Sequence, residues 1–296
     1  MTEDWNVGKI LTVTEGFFQK AGIESARLDA ELLLADTLDL SRETLLSRRE
    51  QSLTDIEISS YRERVRQRAG KKPVAYLLKR KEFFSMPFYV DENVLIPRPE
   101  TEHLIERALN WLKLRFPIPN PESRVPICEV GTGSGCIAAA LASARPDVQV
   151  TATEHSPEAA AVAVKNLADL GQLSRVRVVQ CDLFPMDLLT RYDIVVSNPP
   201  YLSLHEFEAL PAGIRRFEPK EALTDGRDGL TFYRRILKMA AKRMRPNGAV
   251  FFEISPGIET SFKGGPLLEN LPFSLTAIYP DLAGLPRVAQ LELIQN

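Results

Sequence analysis

The sequence predicts an α/β protein, with a largely parallel sheet covered by helices on both faces and a small helical bundle ahead of it. Three observations carry this. From residue 125 onward, short apolar runs alternate with amphipathic stretches. The first of these runs leads straight into a glycine-rich turn, and residues 1 to about 70 read as helices. A chain of 296 residues, 44% hydrophobic and 26% charged, has enough apolar surface for a sizeable core.

In the first segment Leu28, Leu32, Leu33, Leu34 and Leu38 make an apolar stripe after Gly22, and Tyr61 to Ala69 is charged and helical in propensity. Between Lys71 and Pro99 the pattern changes to alternating aromatic and β-branched residues: Phe83, Phe84, Phe88, Tyr89, Val90, Val94 and Ile96. Bounded by prolines, this predicts a β-hairpin linker over 73–99, joining a bundle over 1–72 to a domain over 100–296. Phe116 to Pro126, with four prolines, is a loop. Strands are expected at 125–130, 148–153, 175–180, 192–197 and 248–254, and helices at 135–145, 157–170 and 229–244. Two last apolar runs, 273–279 and 287–294, suit an antiparallel pair at the sheet edge.

The formal charge of −2 provides no global positive field to gather nucleic acid, so no stable nucleic-acid binding is expected. The basic run Arg62, Arg64, Arg66, Arg68, Lys71 and Lys72 is either a solvated helix face or a contact for RNA or protein; the helical register and Glu63 favour the former. Met1 to Ile10 lacks the pattern of a signal peptide, and no apolar stretch approaches a membrane span, so a cytoplasmic protein is expected. Cys128, Cys136 and Cys181 have no paired spacing, and His103, His155 and His205 share none; no metal site is expected, and the cysteines read as reduced core residues.

Chemistry first appears at Ile127 to Gly135. Here Gly131, Thr132, Gly133, Ser134 and Gly135 form a turn between a strand and a helix, where backbone approaches a ligand closely and helix amides face it. Cys136 stands where a dinucleotide fingerprint needs glycine or alanine, which counts against a nicotinamide cofactor. Glu154 ends the second strand, where a carboxylate suits the two hydroxyls of a ribose. Asp182, after the third strand, is placed to accept from an adenine amino group, with Leu183 and Phe184 covering the ring. Both acids have an alternative role as caps of following helices.

Ser197-Asn198-Pro199-Pro200-Tyr201 follows the apolar strand at its carboxyl end, beside the glycine turn. A planar amide or aromatic amine is a poor nucleophile, because its lone pair is delocalised. The Asn198 amide oxygen and a proline-fixed backbone carbonyl together accept both N–H groups of such a target and aim its nitrogen. Tyr201 is suited to pack over the plane. Asn-Pro-Pro is also an ordinary way to leave a strand; its pairing with the glycine turn favours the functional reading.

These motifs resemble the PrmC/HemK glutamine methyltransferases. The likeness runs through Val94 to Glu102, the glycine turn, Asn198 to Tyr201, Arg216 to Leu223 and Asp281 to Gly284. It implies a class I S-adenosylmethionine-dependent methyltransferase fold, Rossmann-like with a seven-stranded mixed sheet, and a helical domain that grips the substrate. The implied substrate is the glutamine of the Gly-Gly-Gln motif in class-one peptide chain release factors. It assigns S-adenosyl-L-methionine contacts to Gly131–Gly135, Glu154, Asp182, Leu183 and Asn198, and substrate contacts to Asn198, Pro199, Pro200 and Tyr201, with Asn198, Pro199 and Tyr201 at the chemistry. Arg98 and Glu100 to Glu102 become the wall of the active site, and a monomer is expected. Leu183 stands where such proteins commonly carry tryptophan, Leu78-Lys79 replaces a Thr-Gly turn in the hairpin, and Glu253 to Glu259 departs from the family run. Methylation of a nucleic-acid amine, and a nucleotide-binding or oxidoreductase role, are the alternatives.

Overall fold

The computed structural model describes residues 5–120, 122–187, 189–264 and 267–294. The first four residues of the expected bundle, Pro121 of the expected loop and the last two residues of the expected α/β domain lie outside them. The chain divides into two compact units, Met1–Arg80 with Pro211–Phe217, and Lys81–Leu210 with Glu218–Asn296.

The first unit is helical: α1 (Val7–Lys20), α2 (Ala26–Thr37), α3 (Arg42–Ser47), α4 (Asp55–Ala69), α5 (Val74–Leu78) and a short late helix, Ala212–Phe217. Polar residues set the starts. Asn6 accepts from the Lys9 amide, Ser41 from Thr44, and Thr54 forms a capping box with Glu57. Phe18, Leu33, Leu34, Leu45 and Tyr61 are fully buried in its core. The expected leucine stripe is only partly right, since Leu28 is 44% exposed. In its place α2 buries Asp29 and Glu31, because each has a cation to meet: Arg68 Nε lies 2.7 Å from Asp29, and Arg27 and Arg42 lie 2.8 and 2.7 Å from Glu31.

The basic run is largely spent inside this unit. Arg64 pairs with Asp36, Arg66 with Glu63 and Arg68 with Asp29, Arg62 lies over the Trp5 ring, and the Lys71 ammonium donates to the Ala21 and Gly22 carbonyls.

From the last residue of the first unit into the second, β1 (Arg80–Phe83) and β2 (Met86–Tyr89) pair as a two-stranded hairpin, shorter than the 73–99 range expected for it. Residues 74–78 of that range are helical instead, and Lys79 closes that helix in the left-handed region at φ 54°. The hairpin turns at Phe84 and Ser85, both at positive φ, a geometry usually left to Asn and Gly. The Glu102 carboxylate takes the Phe84 amide proton at 2.9 Å and holds that turn.

Helix α6 (Thr101–Arg115) follows, an element the motif reading passed over although Leu104, Ile105, Ala108 and Leu112 mark a helical face. Then come β3 (Val125–Val130), α7 (Cys136–Ala144), β4 (Val148–Glu154), α8 (Pro157–Asp169), β5 (Val176–Gln180) and β6 (Tyr192–Ser197), close to the expected bounds. The helix expected over 229–244 is Thr231–Ala240, and β7 (Met244–Glu253) begins four residues before its expected start. Last are β8 (Phe273–Pro280) and β9 (Pro286–Leu293).

The seven strands run in the order β5-β4-β3-β6-β7-β9-β8, parallel through β7, with β9 antiparallel to both neighbours. Strand order therefore reverses between β3 and β6, and in such sheets the crevice at the strands' carboxyl ends is the ligand site. Strand β6 is buried along its whole length, as a central parallel strand should be.

One buried side chain joins the hairpin to the glycine turn. Asn166 of α8, 1% exposed, accepts from the Tyr89 amide at 2.7 Å and donates to the Tyr89 and Ser134 carbonyls at 2.9 and 2.8 Å. Asn166→Ala leaves these backbone groups unpartnered, and should lower unfolding free energy by at least about 1–3 kcal/mol in urea titration.

Candidate active site

Every parallel strand but β7 delivers a candidate residue to one crevice. A cavity of about 790 Å³ is lined by Gly131 to Ser134, Glu154, Cys181 to Leu183, Asn198 to Pro200 and the wall residues Arg98 and Thr101. Gly135 is the exception within the turn, since it faces Ala163 of α8, which a Cβ there would meet at 3.4 Å. Gly131, Gly133 and Gly135 all have positive φ, so glycine is demanded by conformation at all three.

Strand ends are tied together by hydroxyls. Thr153, fully buried, shares its one hydroxyl proton between the Leu183 carbonyl at 2.6 Å and the Glu129 carbonyl at 3.1 Å, and its own carbonyl accepts from the Gly131 and Thr132 amides at 2.9 Å. The Ser197 hydroxyl donates to the Val130 carbonyl at 2.7 Å, joining β6 to β3 beside the turn.

Glu154 does two jobs. Its Oε2 accepts from the Gly133 amide at 2.9 Å, and its Oε1 from the His155 and Ser156 amides at 2.8 and 3.0 Å. It thus fastens the turn and still borders the cavity, as does His155. Among the described residues no helix lies between Asp182 and β6 for it to cap; its carboxylate meets Arg235 at 2.5 Å on the cavity rim. Leu183 reaches the cavity from a left-handed backbone position, φ 69°. Phe184 departs from expectation: it is 3% exposed, packed against Tyr192 and not on the cavity surface. Cys181 borders the cavity instead of lying in the core, while Cys128 and Cys136 are buried; burial pushes the Cys136 thiol up to about 12, which keeps it protonated.

Asn198 sits on the cavity surface with its Nδ2 donating to Thr101 Oγ1 at 3.3 Å. Thr101 in turn donates to Glu253 Oε2 at 2.7 Å. Tyr201 lies behind this wall and not over the cavity, its hydroxyl donating to Glu253 Oε1 at 3.4 Å. Glu253, which ends β7, is 2% exposed, and burial raises its carboxyl to about 7. The Asn198–Tyr201 loop is backed by residues 223–231: Leu202 N–H donates to the Leu223 carbonyl, and a Cβ on Gly229 would sit 2.2 Å from the Tyr201 carbonyl oxygen. Arg98 is held by Glu218, which also receives the Ile96 amide.

Sequence reasoning placed Thr101 only in the wall and gave Glu253 no role. An acid closing an apolar strand, Phe251-Phe252-Glu253, was the available signal. Among the described residues no cluster of His, Cys, Asp and Glu is arranged to hold a metal, and no helix is long and apolar enough to cross a membrane.

Fold and site together define a methyltransferase of the α/β kind. Residues 117–212 match the family model for the methyltransferase small domain, and residues 9–78 that for the PrmC N-terminal domain. The solved hMettl16 catalytic domain, in complex with an RNA hairpin, shares the fold at TM-score 0.53 and 18% identity, over 78% of this chain and 82% of that one. Within this class the chain belongs to the release factor glutamine methyltransferase family. The member from Rhodopirellula baltica is 38% identical over 291 residues, covering 97% of this chain and 96% of that protein, and the one from Geobacter sulfurreducens is 38% identical over 86% of each.

Two buried acids make stability depend on pH. Burial raises Glu129 to about 8 and Glu253 to about 7 from an ordinary 4.5, so the folded chain holds these protons more tightly than the unfolded one. Unfolding then releases protons between about pH 5 and pH 8, and stability should fall as pH rises through that window. Among the described residues Glu129 Oε1 has no hydrogen-bond partner. Urea midpoints measured from pH 5 to 9 should decline, and Glu129→Gln should remove much of the decline above pH 7. A second prediction concerns the loop: Gly229→Ala should displace Tyr201 and lower methyl transfer roughly 100-fold, the loss that misplacement by about 1 Å produces.

Proposed function

We propose that this chain methylates the side-chain amide nitrogen of the glutamine in the Gly-Gly-Gln motif of class-one peptide chain release factors, a modification of the translation-termination machinery. The observation that carries this reading is that one cavity is lined by the glycine turn with Glu154 and also by Asn198-Pro199-Pro200. A nucleoside site and a planar-amide site share one space. Family membership supports the choice of substrate.

The residues present fit S-adenosylmethionine. A Cβ at Gly131 or Gly133 would meet nothing within 4 Å, so the turn leaves open space on its cavity side for a ligand to approach the backbone. Glu154 would take the ribose hydroxyls, Asp182 and Leu183 would border the adenine, and the backbone of Gly131 to Ser134 would face the amino-acid part. When bound, S-adenosylmethionine supplies an electrophilic methyl group.

The chain's own residues hold the target. Asn198 Oδ1 and a backbone carbonyl at Asn198–Pro199 accept the two N–H bonds of the glutamine amide, which draws its lone pair out of conjugation and fixes its direction. Proline at 199 and 200 removes backbone donors that would compete for those acceptors and stiffens the loop. The amide sheds a proton readily once methylated, so no base is required beforehand. A monomer acting in the cytoplasm is the setting this substrate implies.

Radiolabelled S-adenosylmethionine with a purified release factor, its Gly-Gly-Gln Gln→Ala version and tRNA tests the reading. Label is expected on the intact factor alone, and label on tRNA or on the Ala version would overturn it. Asn198→Ala should lower turnover roughly 100- to 1,000-fold, as loss of one preorganised polar group does, while titration calorimetry finds S-adenosylmethionine affinity nearly unchanged.

A further inference from the structure

An amide side chain has two nearly isosteric ends, and only one of them serves this reaction. With the Asn198 oxygen toward the cavity, the target N–H groups find an acceptor. With the NH₂ toward it, donor meets donor and the target is turned away. Something must choose between the two, and the choice is written in a buried chain of hydrogen bonds.

The Thr101 hydroxyl, on a residue 3% exposed, has one proton to give and lone pairs to receive. An ionised Glu253 only accepts, so the Thr101 proton goes to its Oε2, at 2.7 Å. Thr101 Oγ1 then has nothing but lone pairs for Asn198, and accepts a hydrogen bond from Nδ2, at 3.3 Å. With Nδ2 engaged at the back, Oδ1 is left for the cavity. We propose that Glu253 is a positioning residue: its carboxylate, acting through Thr101, holds the Asn198 amide with the oxygen facing the reacting nitrogen. This rests on the glutamine-methylation reading.

Protonation reverses the polarity. A neutral Glu253 carries its own proton to Thr101, freeing the Thr101 hydroxyl to donate to Asn198 and turn the amide around. The groups facing Glu253 set where that happens. Arg287 on β9 favours the charged form, Glu100 ahead of α6 opposes it, and the Tyr201 hydroxyl donates to Oε1 at 3.4 Å. The Tyr233 hydroxyl binds the Glu253 backbone carbonyl at 2.7 Å and fixes the strand end. Burial outweighs these and brings the carboxyl to about 7, so the relay switches near neutrality. A buried acid that titrates near neutrality beside a binding cavity is the kind of group that functional sites keep.

The test is the pH dependence of kcat for release-factor methylation from pH 5.5 to 9, in wild type, Glu253→Gln, Thr101→Val and Thr101→Ser. Wild-type kcat should fall about tenfold per pH unit below pH 7 and level off above it. Glu253→Gln should be flat between pH 6 and 8 and roughly 10- to 100-fold slower than the wild-type plateau, with KM for S-adenosylmethionine unchanged. Thr101→Val should lose as much, and Thr101→Ser, which keeps the hydroxyl, should restore both rate and pH slope. Side-chain amide NMR reads the relay without any substrate: the Asn198 NH₂ resonances should shift with a midpoint near pH 7 in wild type and not in Glu253→Gln. Wild-type rate and slope in Glu253→Gln, or Asn198 resonances that ignore Glu253, would overturn the proposal. If no release factor is labelled at any pH but the NMR titration appears, the relay stands and the substrate reading fails.

Discussion

The glycine turn and the ends of β3 to β5 are tied together at Thr153. Its carbonyl receives two successive amides of the glycine turn, and its hydroxyl bridges the end of β3 and the backbone of Leu183 after β5. Three strand ends and two binding segments therefore share one buried threonine. Strand order brings β3, β4, β5 and β6 side by side, yet adjacency alone leaves four loops free to wander. Hydrogen bonds made in a water-free interior, with no solvent to compete for them, are what turn these loops into one surface. Ser197 repeats the device across the switch point, by a hydroxyl bond from β6 to β3.

Most of the sheet was legible because each parallel strand is buried on both faces and so reads as an unbroken apolar run between turn residues. Strands β3 to β6 lie within a residue of expectation for that reason. Local pattern also located the glycine turn and Asn198, since a turn with positive φ needs glycine and a loop that must not donate suits proline. What stayed hidden was non-local. Leu28 belongs to the right helix but faces out, because α2 fills its inner face with Asp29 and Glu31, acids that look exposed until Arg68, Arg27 and Arg42 are brought to them. Tyr201 follows Asn198-Pro199-Pro200 directly, yet the fold turns it to Glu253, 52 residues later in the chain. Lys79, Phe84, Ser85 and Leu183 hold left-handed backbone without being glycine, so no residue type announced those turns.

Charge inside the molecule has two styles. In the helical unit buried acids are matched by arginines, and their cost is met on the spot. Around the cavity Glu129 and Glu253 are buried and make no ion pair among the described residues, and burial raises both toward neutrality. The sheet unit thus tolerates electrostatic strain at its working end that the helical unit avoids.

The helical unit is not finished by the amino-terminal stretch of the chain. Pro211–Phe217 belongs to it, and there Gly213 comes so near the Lys71 carbonyl that a Cβ would stand 2.8 Å from it. During synthesis the first 80 residues emerge long before this piece, and the whole of β3 to β6 is made in between. The last piece of the bundle is thus translated only after Asn198, and a fragment cut at the unit's first boundary would lack one of its own parts.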